Sequence, residues 1–378
     1  MIVRRATLED KAEIFDFIDD AWGDRAPYKF PERWEWQFEN NPFREDDLLP
    51  VWIAVDEEDG KVVGQTCAMV EPLQIGDELY RVGWSVDTFL QPSCRGQGIG
   101  YELQKANNDA NEIFMSLSMS AANRRIKEAL GSIPLCPVTK LLKWLHHDST
   151  DVMKGFERRI ARKKSKWGEI ATTIFRNLAL DRIFAMALNV RISLLELFGG
   201  RNLSVDESIE IIRVERFPEE IDALWEEISP NFHASIKRDQ RYLNWKYVEK
   251  PHREYFKFIA IRNDRLCGYI ILREGKEPEP NMGLIVDIFV SPSDEKALST
   301  LMVFAQEYLK RRKIGFIKTA TTVQAYQKRL LRLGYKKIGD VIPMFHTNVQ
   351  SKEIESAIKS KKWLLGKGDH DWDQYPPP

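Results

Sequence analysis

One phrase occurs twice in this chain, as VDTFLQPS at residues 86–93 and as VDIFVSPS at residues 286–293, and five of its eight positions are identical. Two more pairs of segments recur in the same order: Trp36 and Pro42 with Trp245 and Pro251, and residues 52–65 with 258–270. The offset between the copies drifts from 209 to 200 residues, as changes in loop length would produce. A repeat of this length indicates two copies of a whole domain rather than a solenoid.

Each copy has the same coarse order of elements. An amphipathic helix is followed by a hairpin, a strand that ends near a proline, a helix, a second strand and a last helix. Strands and helices mixed in this way predict an α/β fold of the α+β kind, with a mixed, mostly antiparallel sheet flanked by helices in each copy. The predicted divisions are a first domain at 1–145, a helical connector at 146–205, a second domain at 206–350 and a C-terminal tail at 351–378.

Composition excludes several classes of function. The formal net charge of −1 gives no general reason to expect a nucleic-acid partner. The four cysteines lack CxxC spacing, which argues against a zinc site or a disulfide framework and suits the cytoplasm. No uninterrupted apolar run approaches the roughly 18–20 residues of a spanning helix, and the N-terminus lacks the apolar core of a signal peptide.

The first copy continues into the glycine-rich segment CRGQGIGYEL, which lies between a predicted strand and a predicted helix. Glycines at 96, 98 and 100 allow tight turns and close approach of a ligand to the backbone. The free N–H groups and the dipole of the helix that follows favour an anion, and Arg95 adds a charge suited to phosphate. The spacing is neither the dinucleotide fingerprint G-x-G-x-x-G nor the P-loop, because no G-K-[ST] follows.

The segment resembles motif A of the GNAT family, the Gcn5-related N-acetyltransferases. In that motif a strand ending in V-x-P is followed by two residues and [RQ]-x-x-G-x-[GA], and here Leu90 to Gly100 fill these positions. The resemblance implies that acetyl-CoA, or another acyl-CoA, lies with its pyrophosphate on this loop and its pantetheine arm beside the strand. A backbone N–H near Leu90 would stabilise the oxyanion. The implied cofactor-binding residues are Thr88, Phe89, Leu90, Arg95, Gly96, Gln97, Gly98, Ile99, Gly100 and Tyr101.

The second copy retains the strand and lacks the loop. Where the first copy has Arg95 and three glycines, the second reads EKALST. We therefore expect a degenerate GNAT-like domain that keeps the fold without the cofactor, and chemistry in the N-terminal half alone.

The catalytic residues are less clearly marked. Asp87 is the candidate base by its position on the strand, but its copy Asp287 lies in the degenerate half, so a structural role is the alternative. Many family members donate a proton from a tyrosine at the position that Lys127 occupies here, and Lys127 would otherwise be a solvated helix residue. Cys94 would need a partner histidine for covalent catalysis. His146 and His147 are expected to be surface residues.

Three further features have two interpretations each. The repeated aromatic residues predict packing at the domain edge, or a surface that stacks on a sugar; they are Trp34, Trp36, Phe38, Trp245 and Tyr247. The connector, with eleven Lys/Arg against five Asp/Glu in residues 151–201, is expected to pack between the domains, with docking on a membrane or an acidic partner as the alternative. The tail has Asp369, His370, Asp371 and Asp373, which predict a loosely ordered acidic segment rather than a site for Mg²⁺ or Ca²⁺; no metal site is predicted.

The resemblance therefore implies an N-acetyltransferase that moves acetyl from acetyl-CoA to a primary amine on a small molecule, with an amino sugar as the first candidate acceptor. One alternative is a FemX-like aminoacyltransferase, which would not need the intact loop at Arg95–Gly100. Another is a non-catalytic module that binds acyl-CoA and regulates a partner. The acceptor, the acyl length and the oligomeric state are left open.

Overall fold

The computed structural model describes residues 1–44, 48–162, 168–199, 205–275 and 281–374. Its strands are β1 (Ile2–Arg5), β2 (Val51–Val55), β3 (Val62–Ile75), β4 (Glu78–Leu90), β5 (Ile113–Ser116), β6 (Ile133–Pro134), β7 (Val138–Trp144), β8 (Ile209–Val214), β9 (Ala234–Ile236), β10 (Phe256–Arg262), β11 (Arg265–Glu274), β12 (Met282–Val290), β13 (Phe316–Thr321), β14 (Lys336–Val341), β15 (Met344–Thr347) and β16 (Trp363–Leu364). Its helices are α1 (Lys11–Trp22), α2 (Glu32–Trp34, continued by a π-helical turn over Glu35–Glu39), α3 (Ile99–Asp109), α4 (Ala121–Ala129), α5 (Ser149–Arg162), α6 (Gly168–Asn177), α7 (Leu180–Gly199), α8 (Glu220–Ile228), α9 (Gln240–Tyr247), α10 (Glu295–Arg311), α11 (Gln324–Arg332) and α12 (Lys352–Lys359).

The strands form two sheets of the same plan. The first has the order β1-β2-β3-β4-β5-β15-β6, with β9 also paired to β3 and β16 paired to β9. The second has the order β14-β7-β13-β12-β11-β10-β8. Most neighbours are antiparallel, and the corresponding pairs β4–β5 and β12–β13 are parallel. The predicted mixed α/β fold with two repeated bodies is confirmed.

Each sheet includes at least one strand from the other half of the chain. β7 comes from the N-terminal half but lies between β13 and β14 in the second sheet. β15 comes from the C-terminal half and lies between β5 and β6 in the first. The predicted boundaries at 145 and 350 therefore do not coincide with the limits of either sheet. Because each half completes the sheet of the other, neither sheet is built from a contiguous piece of chain.

The repeated aromatic residues pack against each other where the halves meet. The rings of Trp36 and Trp245 stack with centroids 4.8 Å apart, and the Trp36 indole N–H donates to the carbonyl of Trp245 at 3.0 Å. Trp34, Phe38 and Tyr247 are also buried in the main hydrophobic core, which runs through both halves. The interpretation of these residues as packing is confirmed, and they present no surface to a sugar.

The C-terminal segment departs from expectation. We predicted a loosely ordered tail, and for residues 351–374 that prediction is wrong. β16 pairs with β9, and Asp369, His370, Asp371 and Asp373 are each at most 4% exposed. The apolar Trp363, Leu364 and Leu365 that precede them are buried in the core and hold the segment in place.

Candidate active site

The two central strands of the first sheet separate where the site begins. β4 and β5 are paired in parallel from Val82 to Trp84, and the pairing ends there. Further along β4 a bulge places Asp87 and Thr88 opposite the single residue Thr66, and Asp87 has a left-handed φ of +48°. A bulge bends its strand and redirects side chains, and a non-glycine residue at positive φ carries strain. The result is an open wedge along Thr88–Leu90.

The glycine-rich loop lies at the mouth of this wedge. A short 3-10 turn over Pro92–Cys94 ends β4, and α3 begins at Ile99. Gly96 and Gly98 both have φ of +83°, and a Cβ at either position would meet open space. Space for a side chain exists at both positions, so it is the positive φ of the backbone, and not crowding, that favours glycine here. The first turn of α3 directs free N–H groups into this space.

Arg95 lies on the same loop with its side chain exposed to solvent. Its Nε donates to the Leu90 carbonyl at 3.1 Å, and its guanidinium lies 5.7 Å from the centre of the Phe89 ring. These contacts direct its charge along the end of β4 toward the mouth of the wedge, where an incoming anion would meet it.

A cavity of about 780 Å³ joins the loop to the interior of the protein. Of the ten predicted cofactor-binding residues, eight line it: Thr88, Phe89, Leu90, Arg95, Gly96, Gly98, Gly100 and Tyr101. The two exceptions, Gln97 and Ile99, are not part of the lining. The Gln97 side chain donates to the Ser93 carbonyl at 3.3 Å, and Ile99 packs into a small core beneath α3.

The inner end of the cavity is charged. Asp87 forms ion pairs with Lys29 and with Arg33, whose guanidinium also lies 3.3 Å from Asp371. Burial works to raise the pKa of Asp87, but Arg33 and Lys29 outweigh it, so that pKa lies below its ordinary value. The carboxylate is therefore ionised at neutral pH, and its two oxygens already face cations.

The C-terminal segment supplies the opposite wall of this charged end. His370, Asp371 and Trp372 line the cavity beside Asp87. The His370 Nε2 lies 2.9 Å from the Ser85 carbonyl, which can only accept, so this nitrogen carries a proton. Its Nδ1 is 2.6 Å from Asp371. Burial lowers the pKa of His370, but Asp371 outweighs it and raises that pKa above its ordinary value, while the pKa of Asp371 falls far below its own.

Neighbouring residues of the segment bind the other half of the protein. Asp369 accepts two hydrogen bonds of 3.0 Å from Arg238, and Asp373 binds Lys250 at 3.1 Å and the Tyr255 hydroxyl. Sequence reasoning missed this role because a terminal run of acids is typical of a solvated tail. The tryptophans before and within this run, Trp363 and Trp372, were the available signal. Within the described residues no group of three or more potential ligands is arranged to hold a metal.

Comparison with known proteins agrees with this geometry. Residues 13–107 match the model of the family described as "Acetyltransferase (GNAT) family". The N-terminal half contains a GNAT domain, and the chain has the tandem GNAT fold. A search of curated protein sequences returned no significant match.

Solved structures share the fold at low sequence identity. A GCN5-related N-acetyltransferase from Anabaena variabilis ATCC 29413 is 12% identical, with a TM-score of 0.58 over 92% of this chain and 72% of that one. A tandem GNAT protein from the clavulanic acid biosynthesis pathway is 12% identical, with a TM-score of 0.52 over 93% and 99%. A glucosamine N-acetyltransferase region of a fungal multi-domain GH3 β-N-acetylglucosaminidase is 14% identical, with a TM-score of 0.51 over 91% and 38%. At these identities the likeness concerns the fold.

The charged pair of the GNAT domain has a counterpart in the second half. Lys29 and Arg238 are 209 positions apart, the offset of the repeat at Trp36 and Trp245, and Arg238 binds Asp287 at 3.1 Å as Lys29 binds Asp87. In the second half both partners are sealed in the core, whereas Lys29 and Asp87 line the cavity. A pair kept in both copies supports the structural interpretation of Asp87.

The wedge of the second half is filled by side chains. The Tyr326 hydroxyl donates to the Val290 carbonyl at 2.5 Å and accepts from the Val290 N–H at 3.1 Å. Val290 is the copy of Leu90, whose neighbourhood is the predicted oxyanion site. Thr319 donates to the Ile285 carbonyl at 3.0 Å nearer the sheet. Both backbone groups of Val290 are thus already bonded within the protein.

The remaining candidates are placed as follows. Lys127 is buried, which corrects the expectation of a solvated residue, and its ammonium donates to Gln104 at 2.6 Å above the Phe114 ring. Cys94 is buried in the small core under α3 and is not part of the cavity lining. His147 stacks on Trp144 at 4.3 Å.

Proposed function

We propose that the N-terminal half is an acyl-CoA-dependent N-acyltransferase that moves acetyl from acetyl-CoA to a primary amine. The observation that supports this most is the continuity of the cavity, which runs from a glycine loop with a helix N-terminus, along an unpaired strand edge, to a buried polar chamber. An acyl-CoA has the same sequence of chemistry: an anionic pyrophosphate, an amide-bearing arm and a reactive thioester.

The chain's own residues would divide the work of binding. Arg95, Gly96 and Gly98, with the first turn of α3, would hold the pyrophosphate. Backbone groups of Thr88–Leu90 would bind the pantetheine arm as an added strand does. The side chains of Gln97 and Ile99 would shape the loop without contacting the cofactor, because neither residue lines the cavity. Acetyl-CoA would supply the activated acyl group.

Transfer requires that the neutral amine nitrogen attack the thioester carbon, that the carbon–sulfur bond break, and that the proton lost by the nitrogen pass to the leaving thiolate, so that an amide and free CoA thiol form. A backbone N–H near Leu90 would stabilise the negative charge that develops on the carbonyl oxygen. Asp87 is our candidate catalytic residue by position. Its lowered pKa makes it a weak proton acceptor. We therefore assign Asp87 the role of orienting Lys29 and the acceptor, and not that of removing the amine proton.

An amino sugar is the acceptor that the inner chamber suits best. Trp22, Phe89 and Trp372 line the cavity beside the polar groups of Lys29 and Asp371. Aromatic faces with adjacent donors and acceptors are suited to the alternating apolar and hydroxyl faces of a sugar. The fungal protein with a similar fold is described as a glucosamine N-acetyltransferase region, which agrees with this choice as an analogy of fold.

A second candidate is a non-catalytic module that senses acyl-CoA. It is favoured by the pairing of both cavity carboxylates: Asp87 with Lys29 and Arg33, and Asp371 with Arg33 and His370. Among the described residues that line the cavity, this leaves no carboxylate with ordinary basicity to act as a general base.

The deciding experiment incubates the protein with acetyl-CoA and a panel of amines that includes glucosamine, and measures free CoA thiol together with the mass of the acylated product. We expect amine-dependent thiol release by the wild type and none by Arg95→Glu. Arg265→Glu, which changes an exposed arginine in the second half, is the matched control and should behave as wild type. Tight CoA binding without release for any amine would reject the transferase and support the sensing module.

A further inference from the structure

The connector helices form a small unit of their own outside the two sheets. Phe156 of α5 stacks on Phe175 of α6 with ring centroids 4.2 Å apart, and Phe175 meets Phe184 of α7 at 5.6 Å. Phe175 and Ala185 are buried where these helices touch. This internal core accounts for only part of the apolar surface of the connector.

A large apolar surface on α6 and α7 faces solvent. Seven large apolar side chains of α6, of α7 and of the turn between these helices are between 47% and 65% exposed: Ile174, Leu178, Ile183, Phe184, Met186, Val190 and Leu194. The described remainder of the chain, several times longer, contributes eleven more, scattered through the sequence. The expectation that the connector buries its apolar residues between the domains is therefore not met on this face.

Four of these residues form one stripe along α7. Ile183, Met186, Val190 and Leu194 are separated by three, four and four positions, which places them on one side of a helix. The opposite side, which includes Ala185, is the one that packs inward. We call these four residues the α7 stripe.

Cations border the α7 stripe on both sides. At 3.6 residues per turn, Arg182 lies along one edge of the stripe and Arg191 along the other, and both are exposed. Arg176 on α6 is exposed as well. In the sequence, residues 151–201 contain eleven Lys/Arg against five Asp/Glu. Among the described residues, Arg182 and Arg191 thus place positive charge along both edges of the α7 stripe, whereas Arg176 is paired with Glu157 and Asp148 lies in the groove beside Arg182.

We propose that the α7 stripe and its flanking arginines dock this protein on an anionic membrane surface. A helix with a wide apolar stripe and basic flanks lies in the interfacial zone of a bilayer, with the apolar side chains among the acyl chains and the cations at the lipid phosphates. Among the described helices, none is both long and apolar enough to cross a membrane, so the contact is peripheral.

Charge favours a membrane over a second copy of the chain. In a symmetric dimer through this face, the same patch would be opposed on both protomers. The Arg182 and Arg191 of each protomer would then lie beside those of the other, and like charges at close range are unfavourable. An anionic lipid surface neutralises the same residues. The shape of the α7 stripe would suit either a membrane or a second copy of the chain, and the charge of its flanking arginines favours the membrane.

The test is flotation of the full chain with phosphatidylcholine vesicles that either contain or lack phosphatidylserine, at physiological salt. We expect the wild type to float only with the anionic vesicles. The double variant Met186→Asp/Val190→Asp should lose this binding. Arg182→Glu/Arg191→Glu should weaken it by about tenfold or more, because each basic residue near such a surface contributes about 1 kcal/mol. Leu331→Asp, at an exposed leucine of the second half, is the control and should float as wild type does.

Unchanged circular dichroism and thermal melting of each variant would establish that it folds. Failure of the wild type to float with anionic vesicles would overturn the proposal. So would sedimentation equilibrium showing a wild-type dimer that Met186→Asp/Val190→Asp converts to a monomer, since a second copy would then cover the stripe. Neither result bears on acyl transfer, which is measured with amines in the absence of vesicles.

Discussion

Replacing Lys127 with methionine should make the GNAT domain more stable, and the gain should depend on pH. Burial lowers the pKa of Lys127 from 10.5 to about 7. This gap corresponds to an upper limit of about 5 kcal/mol, at roughly 1.4 kcal/mol per pKa unit. Its hydrogen bond to Gln104 would be lost in the variant, and a bond to a charged group contributes about 1.5–3 kcal/mol. We therefore expect a net gain of about 2–3 kcal/mol at pH 7.

The sign of the pH dependence follows from proton binding. The unfolded chain keeps the Lys127 proton up to a pH near 10.5, whereas the folded chain releases it near pH 7. Between these values the unfolded state binds more protons, so the free energy of unfolding of the wild type rises with pH. The variant lacks this contribution, and its advantage should shrink toward pH 10. Lys250 and Lys367 also have a pKa of about 7, but both proteins contain them and their contributions cancel in the difference.

Urea denaturation of both proteins from pH 7 to pH 10 measures this difference. Parallel stability curves would refute the reasoning, because they would mean that the pKa of Lys127 is the same in the folded and the unfolded chain. The same variant separates the two roles considered for Lys127. If it donates a proton to the leaving thiolate, CoA thiol release should vanish in Lys127→Met. If Lys127 only holds the Gln104 side chain in place by a hydrogen bond, as its burial indicates, release of CoA thiol should persist.

Four further predictions concern the site and the interface. Gly98→Val should raise the Kd for CoA in calorimetry, because a φ of +83° strains a β-branched residue in the loop that would bind the cofactor. Gly60→Val is the control, since Gly60 has a φ of +73° in a surface turn. It should cost a similar amount of stability, about 1–3 kcal/mol, and leave the Kd for CoA unchanged. Asp371→Asn should cost about 3 kcal/mol of stability by breaking a buried ion pair, and should lower kcat more than it weakens CoA binding. The pKa of His370 is raised above 6.5 in the folded chain, so its contribution to stability is complete below pH 6.5 and is lost as pH rises through the folded pKa. His370→Gln should therefore show a smaller fall in melting temperature over this pH range than the wild type. Trp36→Ala should destabilise the protein by about 3–5 kcal/mol in urea, since a stacked, buried indole is removed.

The sequence was sufficient for what depends on local patterns and on the repeat. The strand phrase at 86–93, the glycine loop and the loss of that loop in the second copy could all be read from residue types in order. The structure places eight of the ten predicted cofactor residues on one cavity for this reason. The Ile99 side chain packs in the small core beneath α3; a helical position next to a glycine loop faces either the ligand or the core, and the spacing alone does not decide between them.

Other features depend on contacts between distant parts of the chain. β7 and β15 are short segments of mixed apolar and polar residues, and nothing in their sequences states which sheet receives them. Asp371 reaches Arg33 across 338 positions. A run of acids near a chain end is usually solvated, and here only tertiary packing of the buried tryptophans reverses that expectation. Lys29 carried no local signal, and its ion pair with Asp87 across 58 positions is visible only in the folded structure.

The central claim is that one acyl-CoA binds per chain, in the N-terminal half. Calorimetric titration of the full chain with CoA tests it most directly. The account predicts saturation at one equivalent, because the loop of the first half is open while Tyr326 already bonds both backbone groups of Val290 in the second. It also predicts that Arg95→Glu abolishes the whole signal. Saturation at two equivalents, or a residual site in Arg95→Glu, would contradict it.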